Sequence, residues 1–146
     1  MRILLIGAGG VGSAVVPIAA RRAFFEQIVV ADYDPGRAER ALSRLAGDPR
    51  FVAARVDASD AAAVEALARE HGSTHVLNAV DPRYVMPIFN GAFAAGADYL
   101  DMAMSLSRPD PAAPYERGSW GPKQAQALIA ADGCWHNPRL ADATPD

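Results

Sequence analysis

Cysteine is almost missing from this chain: Cys134 stands alone among 146 residues, which excludes an internal disulfide. Histidine is nearly as scarce, and His71, His75 and His136 are too scattered to give metal-ligand spacing. There is no block of one charge. Fourteen Lys and Arg stand against 17 Asp and Glu, for a formal net charge of −3, so neither nucleic acid nor an anionic membrane is an expected partner. An uninterrupted hydrophobic run is also lacking. The apolar stretch that follows Met1-Arg2 has a faint look of a secretory signal, but Gly7, Gly9, Gly10, Gly12 and Pro17 break it before Ala20 and make it a poor membrane helix. There are no internal repeats, no nucleophile–base pair and no pair of carboxylates at catalytic spacing. What remains is an ordinary soluble composition, 51% hydrophobic and 21% charged, long enough for one domain with a full core. A reducing cytoplasm is the expected compartment.

The glycines that spoil the membrane reading make the positive one. Ile3-Leu4-Leu5-Ile6 runs into Gly7-Ala8-Gly9-Gly10-Val11-Gly12, a G-x-G-x-x-G turn, and a second apolar run from Ile28 ends on Asp32, twenty positions after Gly12. That is the spacing of a dinucleotide-binding βαβ unit. Gly7 permits the tight strand-to-helix turn, Gly9 lets backbone approach a diphosphate, and Gly12 lets the helix sit close to the sheet. The free N–H groups and positive dipole end of that helix then face the anion.

Short apolar runs alternate with helix-like segments down to about Ser105, the βαβα rhythm of a parallel sheet covered on both faces. Strands are expected at Arg2–Ile6, Gln27–Ala31, Phe51–Val56, His75–Ala79 and Asp98–Asp101. Helices are expected at Gly10–Ala23, Pro35–Ala46, Ala61–His71 and Tyr84–Ala95. Pro17 should kink the first helix, Asp34 should cap the second, Ser59 or Asp60 the third, and Gly96 should close the fourth. Right-handed crossovers give a Rossmann-type, doubly wound α/β sheet of order 3-2-1-4-5. Residues 1–105 read as this domain and residues 106–146 as an irregular, poorly ordered tail. From Ser105 onward the chain holds six of its eleven prolines, both tryptophans and Cys134, with one short helix expected at Lys123–Ala131.

Ligands bind such sheets at the carboxyl ends of the strands, beside the switch point. Four loops qualify. Gly7–Gly12 is the first. Asp32 in the second is placed to accept from the adenosine ribose hydroxyls and to repel a 2′-phosphate, favouring NAD over NADP, with Arg37 near enough to soften that preference; a plain turn residue is the alternative. Asp57 in the third would accept from the adenine amino group or serve only the helix cap. In the fourth, Asn78, Ala79, Val80 and Asp81 would run their backbone past the nicotinamide ribose, or form no more than an Asx-type turn. Asp101 ends strand five and reads as a surface carboxylate within reach of a substrate.

The pieces ILLIGAGGVGS (3–13), IVVADYD (28–34), ARVDASD (54–60), HVLNAVDP (75–82) and AGADYLDMA (95–103) resemble the N-terminal domain of the saccharopine dehydrogenase family over roughly residues 1–115. The resemblance implies that Gly7, Gly9, Gly10, Val11 and Gly12 hold the pyrophosphate, Asp32 the ribose and Asp57 the adenine, with Asn78 to Asp81 on the nicotinamide side. It implies an oxidoreductase that moves hydride between NAD or NADP and a C–N bond of an amino acid or its imine adduct. Family members continue into a second domain that supplies much of the substrate pocket, so a small-molecule substrate is expected only with that domain. The family-like pattern stops near Tyr115-Glu116-Arg117. A member truncated or frameshifted after about residue 117, inactive by itself, is the expectation. Neither catalytic residues nor oligomeric state can be read. The alternative is a non-catalytic regulatory NAD-binding module of a transport system, which shares the glycine turn and the acids.

Overall fold

The computed structural model describes residues 1–45 and 47–102. The expected tail at 106–146, its helix at Lys123–Ala131, Cys134 and His136 lie outside the described residues. Within them the chain alternates β1 (Arg2–Ile6), α1 (Gly10–Ala19), β2 (Gln27–Asp32), α2 (Pro35–Leu42), β3 (Phe51–Arg55), α3 (Ala61–Glu70), β4 (His75–Asn78), α4 (Val85–Ala95) and β5 (Asp98–Asp101). The five strands form one parallel sheet of order β3-β2-β1-β4-β5, the Rossmann-like order expected. β3 and β5 are its edges.

The apolar runs are continuous because both faces of the sheet are covered, and strand alternation sends successive side chains to opposite sides. Leu4 and Ile6 of β1 join Val29, Ala31 and Val76 under Val64, Leu67, Ile88, Phe89 and Ala92 of α3 and α4. Leu5 points the other way and joins Ile28 and Val30 under Val16 and Ala19 of α1 and Ala38 of α2. A one-residue slip of β1 would put every one of these side chains against the wrong layer.

Helix starts follow local chemistry. Asp34 caps α2 by accepting from the Gly36 N–H at 2.9 Å, with Pro35 at the first helical position. Asp60, rather than Ser59, caps α3, accepting from Ala62 and Ala63. Gly96 closes α4 in the left-handed region at φ 72°.

Two helices end several residues earlier than the sequence pattern suggests, and α3 ends one residue early. α2 tightens into a 3-10 turn at Ser43–Leu45. α1 stops at Ala19, not Ala23, two residues beyond Pro17, which lacks the N–H its turn would need. The chain then turns through bonds from Arg21 to Ile18 and from Arg22 to Ala19. The freed carbonyls of Ala20 and Arg22 accept from the Arg50 guanidinium at 3.0 and 2.7 Å. Arg50 is itself held by Asp48 at 2.7 Å and lies over the Phe25 ring. A residue remote in sequence therefore sets this boundary.

Candidate dinucleotide site

The carboxyl edge of the sheet gathers the β1–α1, β2–α2 and β4–α4 loops around Gly7. The Gly7 N–H donates to the Ala31 carbonyl at 2.7 Å, in a backbone of φ +101° that side chains rarely adopt. A Cβ there would also lie 2.5 Å from Val80 Cγ1 and 2.8 Å from the Ala79 carbonyl oxygen. At Gly12 a Cβ would overlap the Gly7 carbonyl oxygen, so the close approach this glycine permits is to the turn itself. Gly9 and Gly10 differ from both: an added Cβ would meet nothing within 4 Å. Among the described residues those two glycines face open space, and none of these residues requires them to lack a side chain.

Gly9 is also the N-cap of α1, and no side chain caps it. The first amides of a helix have no carbonyl inside the helix to bond. Around Gly10, Val11 and Gly12 these donors and the positive dipole end meet a clear approach, with no carboxylate in the first turn. That donor set fits a diphosphate.

Asp32 is engaged with the same loop. Its Oδ2 accepts from the Ala8 N–H at 2.8 Å and its Oδ1 from the Asp34 N–H at 3.0 Å. The carboxylate thus clamps the glycine turn to the end of β2, a role the sequence does not announce. A carboxylate offers about four lone-pair sites, so two such bonds leave capacity for a ribose hydroxyl.

Asp57 lies at the neighbouring exit, where the Val56 N–H donates to the Asp32 carbonyl at 3.1 Å. Its Oδ1 accepts from the Ser59 N–H at 2.9 Å and the Ser59 hydroxyl at 2.6 Å. Those two bonds, helped by the charge of Arg55, hold its carboxyl below the usual range. Asp57 is therefore a turn residue, while the cap belongs to Asp60.

In the fourth loop Asn78 is fully buried. Its Oδ1 accepts from the Val80 N–H at 3.0 Å and its Nδ2 donates to the Tyr99 hydroxyl at 3.0 Å. The side chain is thus committed to the interior. Asp81 turns to Arg83, whose N–H and Nε donate to it at 3.0 and 2.9 Å, and this pairing lowers the Asp81 pKa. The Asx-type turn foreseen as the plainer reading of this loop is present at Asp81, and Asn78 makes a second one. Burial raises the Tyr99 phenol well above its ordinary value, and Asp101 hydrogen-bonds the same hydroxyl. Asp101 thus has an interior partner. His75 lies at the opposite edge, between the Thr74 hydroxyl at 2.7 Å and Asp98 at 3.4 Å. Among the described residues no group of three His, Cys, Asp or Glu could hold a metal, and no helix is long and apolar enough to cross a membrane.

Residues 3–132 match the family described as the saccharopine dehydrogenase NADP binding domain. The chain belongs to that family. The match continues past Arg117, where the motif resemblance ends. A carboxyaminopropylagmatine dehydrogenase of Synechocystis is 26% identical over 140 residues, covering 94% of this chain and 35% of that protein. The chain thus spans about a third of the length of that curated relative. Among solved structures, apo saccharopine dehydrogenase (L-Glu forming) from Saccharomyces cerevisiae superposes with a TM-score of 0.57 at 18% identity, over 76% of this chain and 22% of that one. A citronellol catabolism dehydrogenase of Pseudomonas aeruginosa gives 0.54 at 16% identity, over 93% and 69%. At these identities the two structures speak for the fold alone. The family and the curated relative support an oxidoreductase-like module that binds a nicotinamide dinucleotide.

Proposed function

We propose that this chain is the cofactor domain of an oxidoreductase that transfers hydride between NAD(P) and the C–N bond of an amino acid or its imine adduct. The observation that carries the cofactor half is the opening of α1: uncapped amides beside two glycines whose missing side chains leave open space. The C–N bond half rests on the family and on the similarity to a carboxyaminopropylagmatine dehydrogenase. The bound cofactor would supply the hydride chemistry. In this reading the amides around Gly9, Gly10, Val11 and Gly12 grip the diphosphate. Asp32 holds both the glycine turn and the adenosine ribose, and Asp57 borders the adenine. Backbone at Ala79 and Val80, with the Asn78–Asp81 turn behind it, lines the nicotinamide side. No described residue is given a catalytic role; the groups that hold substrate belong to a further domain. Calorimetric titration with NADH and NADPH tests the reading. Binding of either supports it, and no heat at millimolar concentration refutes it.

A further inference from the structure

Resting on that cofactor reading, we infer that Tyr99 is a positioning residue: its hydroxyl, acting through the Asn78 amide, holds the Ala79–Val80 loop in the shape that receives the nicotinamide half of the dinucleotide. Asn78 ends β4 opposite Asp101, and Tyr99 stands two residues before Asp101 on β5. Tyr99 pairs with Val76, so strand alternation puts it on the same face of the sheet as Asn78, and both side chains are buried. Among the largest fully buried side chains of the described residues, Asn78 alone is polar. An amide in such surroundings costs stability unless its groups are bonded, and an aliphatic side chain would fill the place without that demand.

What the amide holds is the loop. Its Oδ1 accepts from the Val80 N–H at 3.0 Å, while the Ala79 N–H donates to the Ile6 carbonyl at 2.8 Å. The loop fixed in this way lies against the glycine turn: a Cβ on Gly7 would stand 2.5 Å from Val80 Cγ1 and 2.8 Å from the Ala79 oxygen. Tyr99 fixes the amide from the other side. Its hydroxyl accepts from Nδ2 at 3.0 Å and is bonded to Asp101, and its ring stands edge-on to Phe89 at 5.5 Å. A hydrogen-bonded line therefore runs from Asp101 on the edge strand through Tyr99 and Asn78 to the Val80 N–H. β4 and β5 are already joined by their backbone ladder, so sheet pairing does not need this line. With the hydroxyl gone, the amide loses one of its two anchors and the loop one of its restraints.

Titrations of the full chain with NADH and with ADP-ribose, which has the diphosphate but no nicotinamide, test this. Tyr99→Phe should weaken NADH about tenfold, the scale of one buried hydrogen bond, and ADP-ribose less than about threefold. Asn78→Ala should show the same split, and it carries the test should Tyr99→Phe not fold. Adding Tyr99→Phe to Asn78→Ala should change NADH affinity no further, because both act through one contact. A folded Tyr99→Phe or Asn78→Ala protein that keeps its NADH affinity, equal losses for NADH and ADP-ribose, or additive losses in the double variant overturn the role of Tyr99 and leave the cofactor reading standing. A wild type that binds neither nucleotide overturns both.

Discussion

Helices α1 and α3 open at the same edge of one sheet, each just after a parallel strand, and they begin in opposite ways. α3 starts on Asp60, whose carboxylate takes the N–H groups of Ala62 and Ala63. α1 starts on Gly9, and among the described residues no side chain takes the corresponding groups. Helix ends without partners cost stability, and a Ser, Thr, Asp or Asn at the cap is the usual remedy. The fold applies that remedy at α3, and again at α2 through Asp34. Leaving it out at α1 makes sense if an external anion completes that helix.

Gly12 supports the α1 side of this contrast, and its loss should have the largest effect. Gly12→Ala would drive a methyl into the Gly7 carbonyl, costing about 3 kcal/mol of stability and abolishing nucleotide binding. Chemical denaturation and titration measure the two losses. Tyr99→Phe comes next. It leaves the buried Asn78 amide without its hydroxyl partner, which should cost about 2 kcal/mol in denaturation. The same hydroxyl predicts a pH effect. Its folded pKa is raised, so the stability it contributes is full below the ordinary phenol value near 10 and declines as pH rises beyond it. That decline, up to about 1.4 kcal/mol per pH unit, should be absent in Tyr99→Phe.

Asp60→Ala sharpens the comparison from the α3 side. Stability should fall by about 1 kcal/mol with nucleotide affinity unchanged, because this cap serves only the helix. The smallest effect belongs to Asp57. Its pKa is lowered in the folded protein, so its contribution is present above the ordinary carboxyl value and lost as pH falls through the depressed one. Between about pH 5 and about pH 3, Asp57→Asn should therefore show a slightly shallower loss of melting temperature than the wild type.

The five strands and their order were legible because apolar runs without alternation signal a sheet buried on both faces, and the glycine turn marks where the first crossover begins. The caps at Asp34 and Asp60 were legible as local chemistry. The end of α1 was not, since it depends on Arg50 reaching back to Ala20 and Arg22 from the start of β3. The interior role of Asn78 was hidden for the same reason: Tyr99, its partner, lies on another strand. Asp32 could be picked out by its distance from Gly12, but its hold on Ala8 needed the fold to bring the two loops together.

Gly9→Asp brings the two helices to the same chemistry and tests the central claim most directly. A carboxylate at this cap would satisfy the α1 amides from within and repel a diphosphate. A Cβ there meets nothing, so the variant should fold with a melting temperature equal to or above the wild type. Its affinity for nicotinamide dinucleotide should fall by about a hundredfold. A folded Gly9→Asp protein that binds the cofactor as tightly as the wild type would contradict the account.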